Sequence, residues 1–191
     1  MDNFQAALAR HPVIASARDL QQVERAASSQ VPAIFLLGGS ILNLKALTDC
    51  ARAGGKSVFI HMDLLGGLGR DGAAVEWCAQ QIKPDGVIST RVPLLKRAGE
   101  LGLMTIQRLF IMDSASLRHG VNLLRTYEPD MLEVLPGLVP KAITQLRGAV
   151  GKPIIAGGMI TEQAEVEQAL AAGAAGVSTS VEALWQWAGW S

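Results

Sequence analysis

Two short runs near the end of the chain, Ala156-Gly157-Gly158-Met159 and Val177-Ser178-Thr179-Ser180, carry groups suited to a dianion. Glycine has no Cβ, so a ligand oxygen can come close to the N–H groups of Gly157, Gly158 and Met159. Ser178, Thr179 and Ser180 add hydroxyls and N–H groups where a helix is expected to begin. Together the two runs point to the phosphate of a phosphate monoester. Each alone also has a local meaning, since a glycine pair makes a tight turn and a serine caps a helix.

Glu133 stands inside the apolar run Met131 to Pro136. A carboxylate in such a strand needs partners, either the hydroxyls of a polyol or a cation such as Arg108 or Lys141. His61 and Asp63 flank Met62 and share a face if the strand continues. An imidazole beside a carboxylate suits general acid-base chemistry, ligand binding, or organisation of the glycine-rich loop that follows. Two residues at this spacing without a third ligand do not make a metal site. The loop LLGGLGRDG is neither a dinucleotide fingerprint nor a Walker loop, so no metal and no cofactor are expected.

The elements that must position these residues alternate along the chain. Strands are expected at Pro12 to Ala15, Ala33 to Leu37, Lys56 to His61, Gly86 to Ser89, Met104 to Phe110, Met131 to Leu135, Pro153 to Ala156 and Ala175 to Ser178. Helices are expected between them, at Ala17 to Ser28, Leu42 to Ala53, about Asp71 to Gln81, Val92 to Glu100, Asp113 to Tyr127, a stretch ending near Val150, and Thr161 to Ala172, with a last helix after Ser180. Strands alternating with helices imply a parallel sheet, and eight such units imply a closed (β/α)8 TIM barrel of class α/β. Chemistry in that fold sits where strands end, and phosphate is often held by the loops after strands seven and eight. Ser16 and Arg18 follow the first strand and belong to the same mouth.

At 191 residues the chain is shorter than the ~250 typical of such a barrel, so the loops must be trimmed. No linker divides it, and residues 1–191 read as one domain. With 49% hydrophobic and 5% aromatic residues the core is expected to be aliphatic. Seventeen basic residues balance seventeen acidic ones, so there is no overall footprint of a nucleic-acid binder. Arg91, Lys96 and Arg97 form the densest basic group. Cys50 and Cys78 lie in helical segments and read as small buried hydrophobes, which fits a reducing cytoplasm. The N-terminus lacks the pattern of an export signal, and no stretch approaches a membrane span.

The runs HPVIASARDL, IFLLGGSILNL, VFIHMDLLGGLGRDGAAVEW, DGVIST, LMTIQRLFIMDS, MLEVLPGLVPKAI and IIAGGMI, then GVSTSVEALW, occur in an order that resembles the glycerol-3-phosphate-responsive antiterminator family (GlpP). The resemblance covers nearly the whole chain. It implies a small barrel that binds glycerol 3-phosphate and acts on the leader mRNA of a glycerol-catabolism operon to prevent premature termination. It places the phosphate on Gly157, Gly158, Ser178 and Thr179 and the glycerol hydroxyls on Glu133. Where many relatives in that family have an acidic residue after the second strand, in a run like FGDI, this chain has Gly39-Ser40-Ile41.

Two other functional readings stay open at this point. One is an enzyme acting on a phosphorylated glycerol or triose derivative, with His61, Asp63 or Glu133 as acid or base. The other is a phosphate-binding barrel that acts through protein partners. Trp185 is expected to pack the last helix onto the barrel, and Trp187 and Trp190 to cover the barrel's bottom or form a homodimer contact.

Overall fold

The computed structural model of the chain describes residues 2–187. Eight strands, β1 (Val13–Ala17), β2 (Ala33–Leu36), β3 (Ser57–His61), β4 (Gly86–Ser89), β5 (Met104–Phe110), β6 (Met131–Leu135), β7 (Ile154–Gly157) and β8 (Gly176–Thr179), run parallel and close into a barrel when β8 pairs with β1. The helix α1 (Asp2–Arg10) precedes β1. The helices α2 (Leu20–Ala27), α3 (Leu44–Ala53), α4 (Gly72–Trp77), α5 (Val92–Glu100), α6 (Ser114–Leu124), α7 (Pro140–Val150) and α8 (Gln163–Ala171) follow the first seven strands in turn. A short 3₁₀ helix, Glu182–Gln186, follows the eighth. The expected (β/α)8 barrel is therefore present, with its last helix reduced to this short 3₁₀ segment.

Side chains alternate across each strand, and that alternation divides the core in two. Ile14, Phe35, Phe59, Ile88, Ile106, Met131 and Ile155 point inward and fill the lower barrel. Val13, Ile34, Val58, Val87, Leu132, Ile154 and Val177 point outward beneath the helices. The bottom of the barrel is closed by α1, an element the sequence reading missed. Its Phe4 and Leu8, one helical turn apart, are buried against the inner cluster, and Phe4 stacks 4.8 Å from Phe59. Each such side chain contributes about 1.5–3 kcal/mol of transfer free energy. Trp187 packs against the outer core, while Trp185 is buried there and donates its indole N–H to the carbonyl of Thr179 at 2.9 Å. Trp190 lies outside the described residues.

Helix starts shift from the expected positions because capping, not hydrophobic period, decides them. β1 runs on to Ala17, and α2 waits for Asp19, whose carboxylate accepts the Gln22 N–H. Asp71 and Asp113 cap α4 and α6 in the same way, and Glu165 accepts the N–H groups of Thr161 and Glu162 at the start of α8. Cys78 is buried and Cys50 half-buried, both as free thiols. No described helix is long and apolar enough to cross a membrane.

Candidate functional site at the carboxyl ends of the strands

Arg108 and Glu133 are register partners on β5 and β6, and both point into the barrel. Arg108 Nε donates to Glu133 Oε2 at 2.7 Å, and Ser178 Oγ of β8 donates to Glu133 Oε1 at 2.7 Å. Both carboxylate oxygens are thus engaged by protein. Of the two cations considered for Glu133, Arg108 is the partner; Lys141 is exposed in the first turn of α7 and is not part of the cavity wall. Gly157 lies beside this triad. A Cβ there would fall 2.5 Å from Ser178 Oγ and 2.8 Å from Glu133 Oε1, so glycine is what lets the triad form.

Above the triad opens a cavity of about 280 Å³. Ser16, Arg108, Glu133 and Ser178 supply its polar floor, Leu37, Leu135 and Ile160 its apolar wall, and Arg18, Gly158, Met159 and Ser180 its rim. At that rim the backbone turns left-handed twice in succession, at Gly158 (φ 74) and Met159 (φ 63). For Met159 this costs about 1–2 kcal/mol, a strain of the kind that collects at ligand sites. Among the described residues the N–H groups of Gly158, Met159 and Ser180 donate to no protein acceptor. A Cβ on Gly158 would meet the Leu135 side chain at 3.1 Å, so the turn, rather than bare space left for a ligand oxygen, is the reason for glycine here.

The four residues expected at phosphate therefore divide. Gly158 is on the rim, while Gly157 and Ser178 belong to the floor with Glu133. The hydroxyl of Thr179 is committed elsewhere, donating to the Ile160 carbonyl at 2.8 Å and accepting the Val181 N–H at 3.1 Å, so it holds the wall in place. Leu37 and Leu135 were not anticipated, because an apolar residue ending a strand carries no chemical signal in the sequence.

His61 and Asp63 lie across the mouth, outside the cavity wall. Asp63 Oδ2 accepts from Ser89 Oγ and from the Thr90 N–H, each at 2.9 Å, and its Oδ1 lies 3.4 Å from Arg91 Nε. Burial, and then the charge of Arg108, push the His61 imidazole down to about 4 against a weaker upward pull from Asp63. His61 is thus neutral near pH 7, and its 3.6 Å approach to Asp63 is not an ion pair there. Gln107 ties the same region together by donating to the carbonyls of Ser89, Thr90 and Arg108. The glycine-rich loop beyond is zipped to the loop after β2. The Gly66 N–H donates to the Gly39 carbonyl and the Ile41 N–H to the Gly66 carbonyl, both at 3.0 Å. Ser40, at the position where the family's acidic residue was expected, sits in this bridge.

Wider depressions of about 730 and 630 Å³ open at the opposite end, beside α1, but much of their polar lining is spent on the fold. Asp85 accepts the Val58 N–H, Asp130 accepts the N–H and hydroxyl of Thr105, and Lys56 donates to the Ser29 carbonyl. Among the described residues no group of three or more His, Cys, Asp or Glu is placed to hold a metal ion. The basic group Arg91, Lys96 and Arg97 is not one patch. Arg97 is tied to Glu76 at 2.7 Å and Glu100 at 2.9 Å on the helix flank, whereas Arg91 stands at the mouth beside Asp63.

Comparison with known proteins places this arrangement in context. Residues 13–185 match the family described as "Glycerol-3-phosphate responsive antiterminator". The chain is 36% identical to a glycerol uptake operon antiterminator regulatory protein of Listeria monocytogenes, with a TM-score of 0.89 over 93% of this chain and 96% of that one. A glycerol uptake operon antiterminator-related protein of Thermotoga maritima is 30% identical, with a TM-score of 0.81 over 91% and 96%. The uncharacterized protein YgcP of Escherichia coli K12 is 32% identical over 93% of each chain. An aldolase at 11% identity and a TM-score of 0.71 shares the fold alone.

Proposed function

The chain belongs to the glycerol-3-phosphate responsive antiterminator family, and from that premise we propose that it is a sensor which binds glycerol 3-phosphate at the carboxyl end of its barrel and, so loaded, acts on the leader mRNA of a glycerol-catabolism operon to prevent premature termination. The observation that carries the ligand reading is the polarity of one small cavity. Its floor offers acceptors and donors for hydroxyls at Ser16, Glu133, Arg108 and Ser178, and its rim offers the Gly158, Met159 and Ser180 N–H groups with Arg18 for a phosphate.

The choice of sensor over enzyme is supported by what the floor groups are already doing. Glu133 already accepts from Arg108 and Ser178, one at each carboxylate oxygen, an arrangement that suits recognition of a ligand more than proton abstraction from one. Among the described residues no lysine lines the cavity to form a Schiff base, and neutral His61 is outside it. Calorimetric titration with glycerol 3-phosphate, followed by product analysis of the same sample, tests the proposal. Saturable binding without turnover is the expected result, and turnover would replace the sensor with an enzyme.

A further inference from the structure

Among the described residues, every large apolar side chain left exposed stands at the carboxyl end of a barrel strand or in the segment that follows one, so these side chains ring the open end of the barrel. The most open are Leu42, Met112, Met159 and Phe110, at 93, 87, 70 and 54% exposed. An apolar surface confined to one end of a molecule marks a place of contact. The same end carries the exposed cations Arg18, Arg70 and Lys141, none of which forms an ion pair among the described residues.

Four carboxylates of this end are compensated by backbone. Asp19, Asp71, Asp113 and Glu165 accept N–H groups in the first turns of α2, α4, α6 and α8, where the positive end of each helix dipole offsets their charge. The free guanidinium and ammonium groups of Arg18, Arg70 and Lys141 have no such compensation. Flat or polarisable apolar side chains set among unpaired cations suit a polyanion with stackable faces, which is the chemistry of single-stranded nucleic acid. An apolar protein partner has no use for the cations.

Resting on the antiterminator reading, we propose that the open end of the barrel is the RNA-binding surface, with Phe110, Met112 and Met159 as stacking platforms for unpaired bases and Arg70 and Lys141 as phosphate contacts. Met159 and Arg18 belong both to this surface and to the rim of the ligand cavity. A bound glycerol 3-phosphate therefore lies directly beneath the RNA. That shared wall is the physical route by which each ligand favours the other, by the same factor in both directions.

The test is fluorescence anisotropy of a labelled transcript of a glycerol-uptake operon leader, beside an unrelated transcript of equal length. Titrations are run with and without saturating glycerol 3-phosphate and at several salt concentrations. Calorimetry with glycerol 3-phosphate verifies that each variant is folded. Phe110→Ala with Met112→Ala should weaken leader binding about tenfold or more. Arg70→Ala with Lys141→Ala should flatten the salt dependence by about one to two in log–log slope. Lys96→Ala with Arg97→Ala, on the α5 flank, should change neither. Wild type that binds the leader while both mouth variants bind it equally well overturns this surface and leaves the antiterminator reading standing. Wild type that binds no leader RNA under any condition overturns the reading and the surface with it. If the mouth variants instead lose only a self-association seen by sedimentation, the end is a contact between copies and the proposal fails.

Discussion

Arg108 and Glu133 face each other from adjacent strands with Nε and Oε2 2.7 Å apart and side chains 8% and 1% exposed, forming a buried ion pair at the centre of the barrel mouth. Removing one partner of such a pair leaves the other charge desolvated, at a cost of roughly 3–5 kcal/mol, whereas replacing both with apolar groups is often near neutral. Arg108→Met should therefore lower urea-measured stability by several kcal/mol, and Arg108→Met with Glu133→Leu should recover much of it. Neither should bind glycerol 3-phosphate. A double variant with wild-type affinity would remove the pair from the ligand site.

Arg18 stands at the rim, exposed, with a side chain that no described carboxylate neutralises. Arg18→Ala should leave the melting temperature within experimental error and weaken glycerol 3-phosphate and inorganic phosphate alike, by about tenfold for one lost charge-assisted contact. Glu133→Gln, in contrast, should weaken glycerol 3-phosphate more than inorganic phosphate, because only the former has hydroxyls. Parallel calorimetric titrations separate the two effects. Equal losses for both ligands in both variants would rule out a site with distinct phosphate and polyol ends.

His61 gives stability a pH dependence of definite sign. Its folded value, about 4, lies below the ordinary 6.5, so between these limits the unfolded chain binds a proton that the folded chain refuses. Stability is then full above pH 6.5 and falls as the pH drops toward 4, by roughly 3 kcal/mol in total. Burial of His11 acts in the same direction. His61→Gln should flatten most of this decline in urea denaturation at stepped pH. An unaltered slope would mean that the imidazole is not buried as described.

Leu8 joins α1 to the barrel floor and is 1% exposed. Leu8→Ala should cost about 2–5 kcal/mol through lost transfer energy and the cavity left behind. Because the ligand cavity is at the far end, affinity for glycerol 3-phosphate should persist in the folded fraction. Loss of binding at full folding would show that the two ends are coupled.

The alternation of strands and helices, the closure into a barrel and the mouth positions of Ser16, Arg18, Glu133, Gly158 and Ser178 were all legible in the sequence. They follow from local rules: side chains alternate across a strand, helices stop at glycine, and a barrel's strand ends converge. What residues do once converged was not legible. Glu133 read first as a polyol ligand, with an ion pair as the alternative, and only the register of β5 against β6 put Arg108, rather than Lys141, beside it. Gly157 and Gly158 look alike in sequence, yet one makes room for Ser178 and Glu133 while the other supplies a left-handed turn. Arg91, Lys96 and Arg97 are neighbours in the chain but face different surroundings, because a helix turns its side chains 100° per residue and Glu76 arrives from another helix. Likewise, α1 has an ordinary amphipathic pattern that acquires its meaning as a plug only from the open barrel end it meets. Local sequence determines which elements form and where their ends gather. Pairing energies depend on distance and burial, and only the tertiary structure sets those.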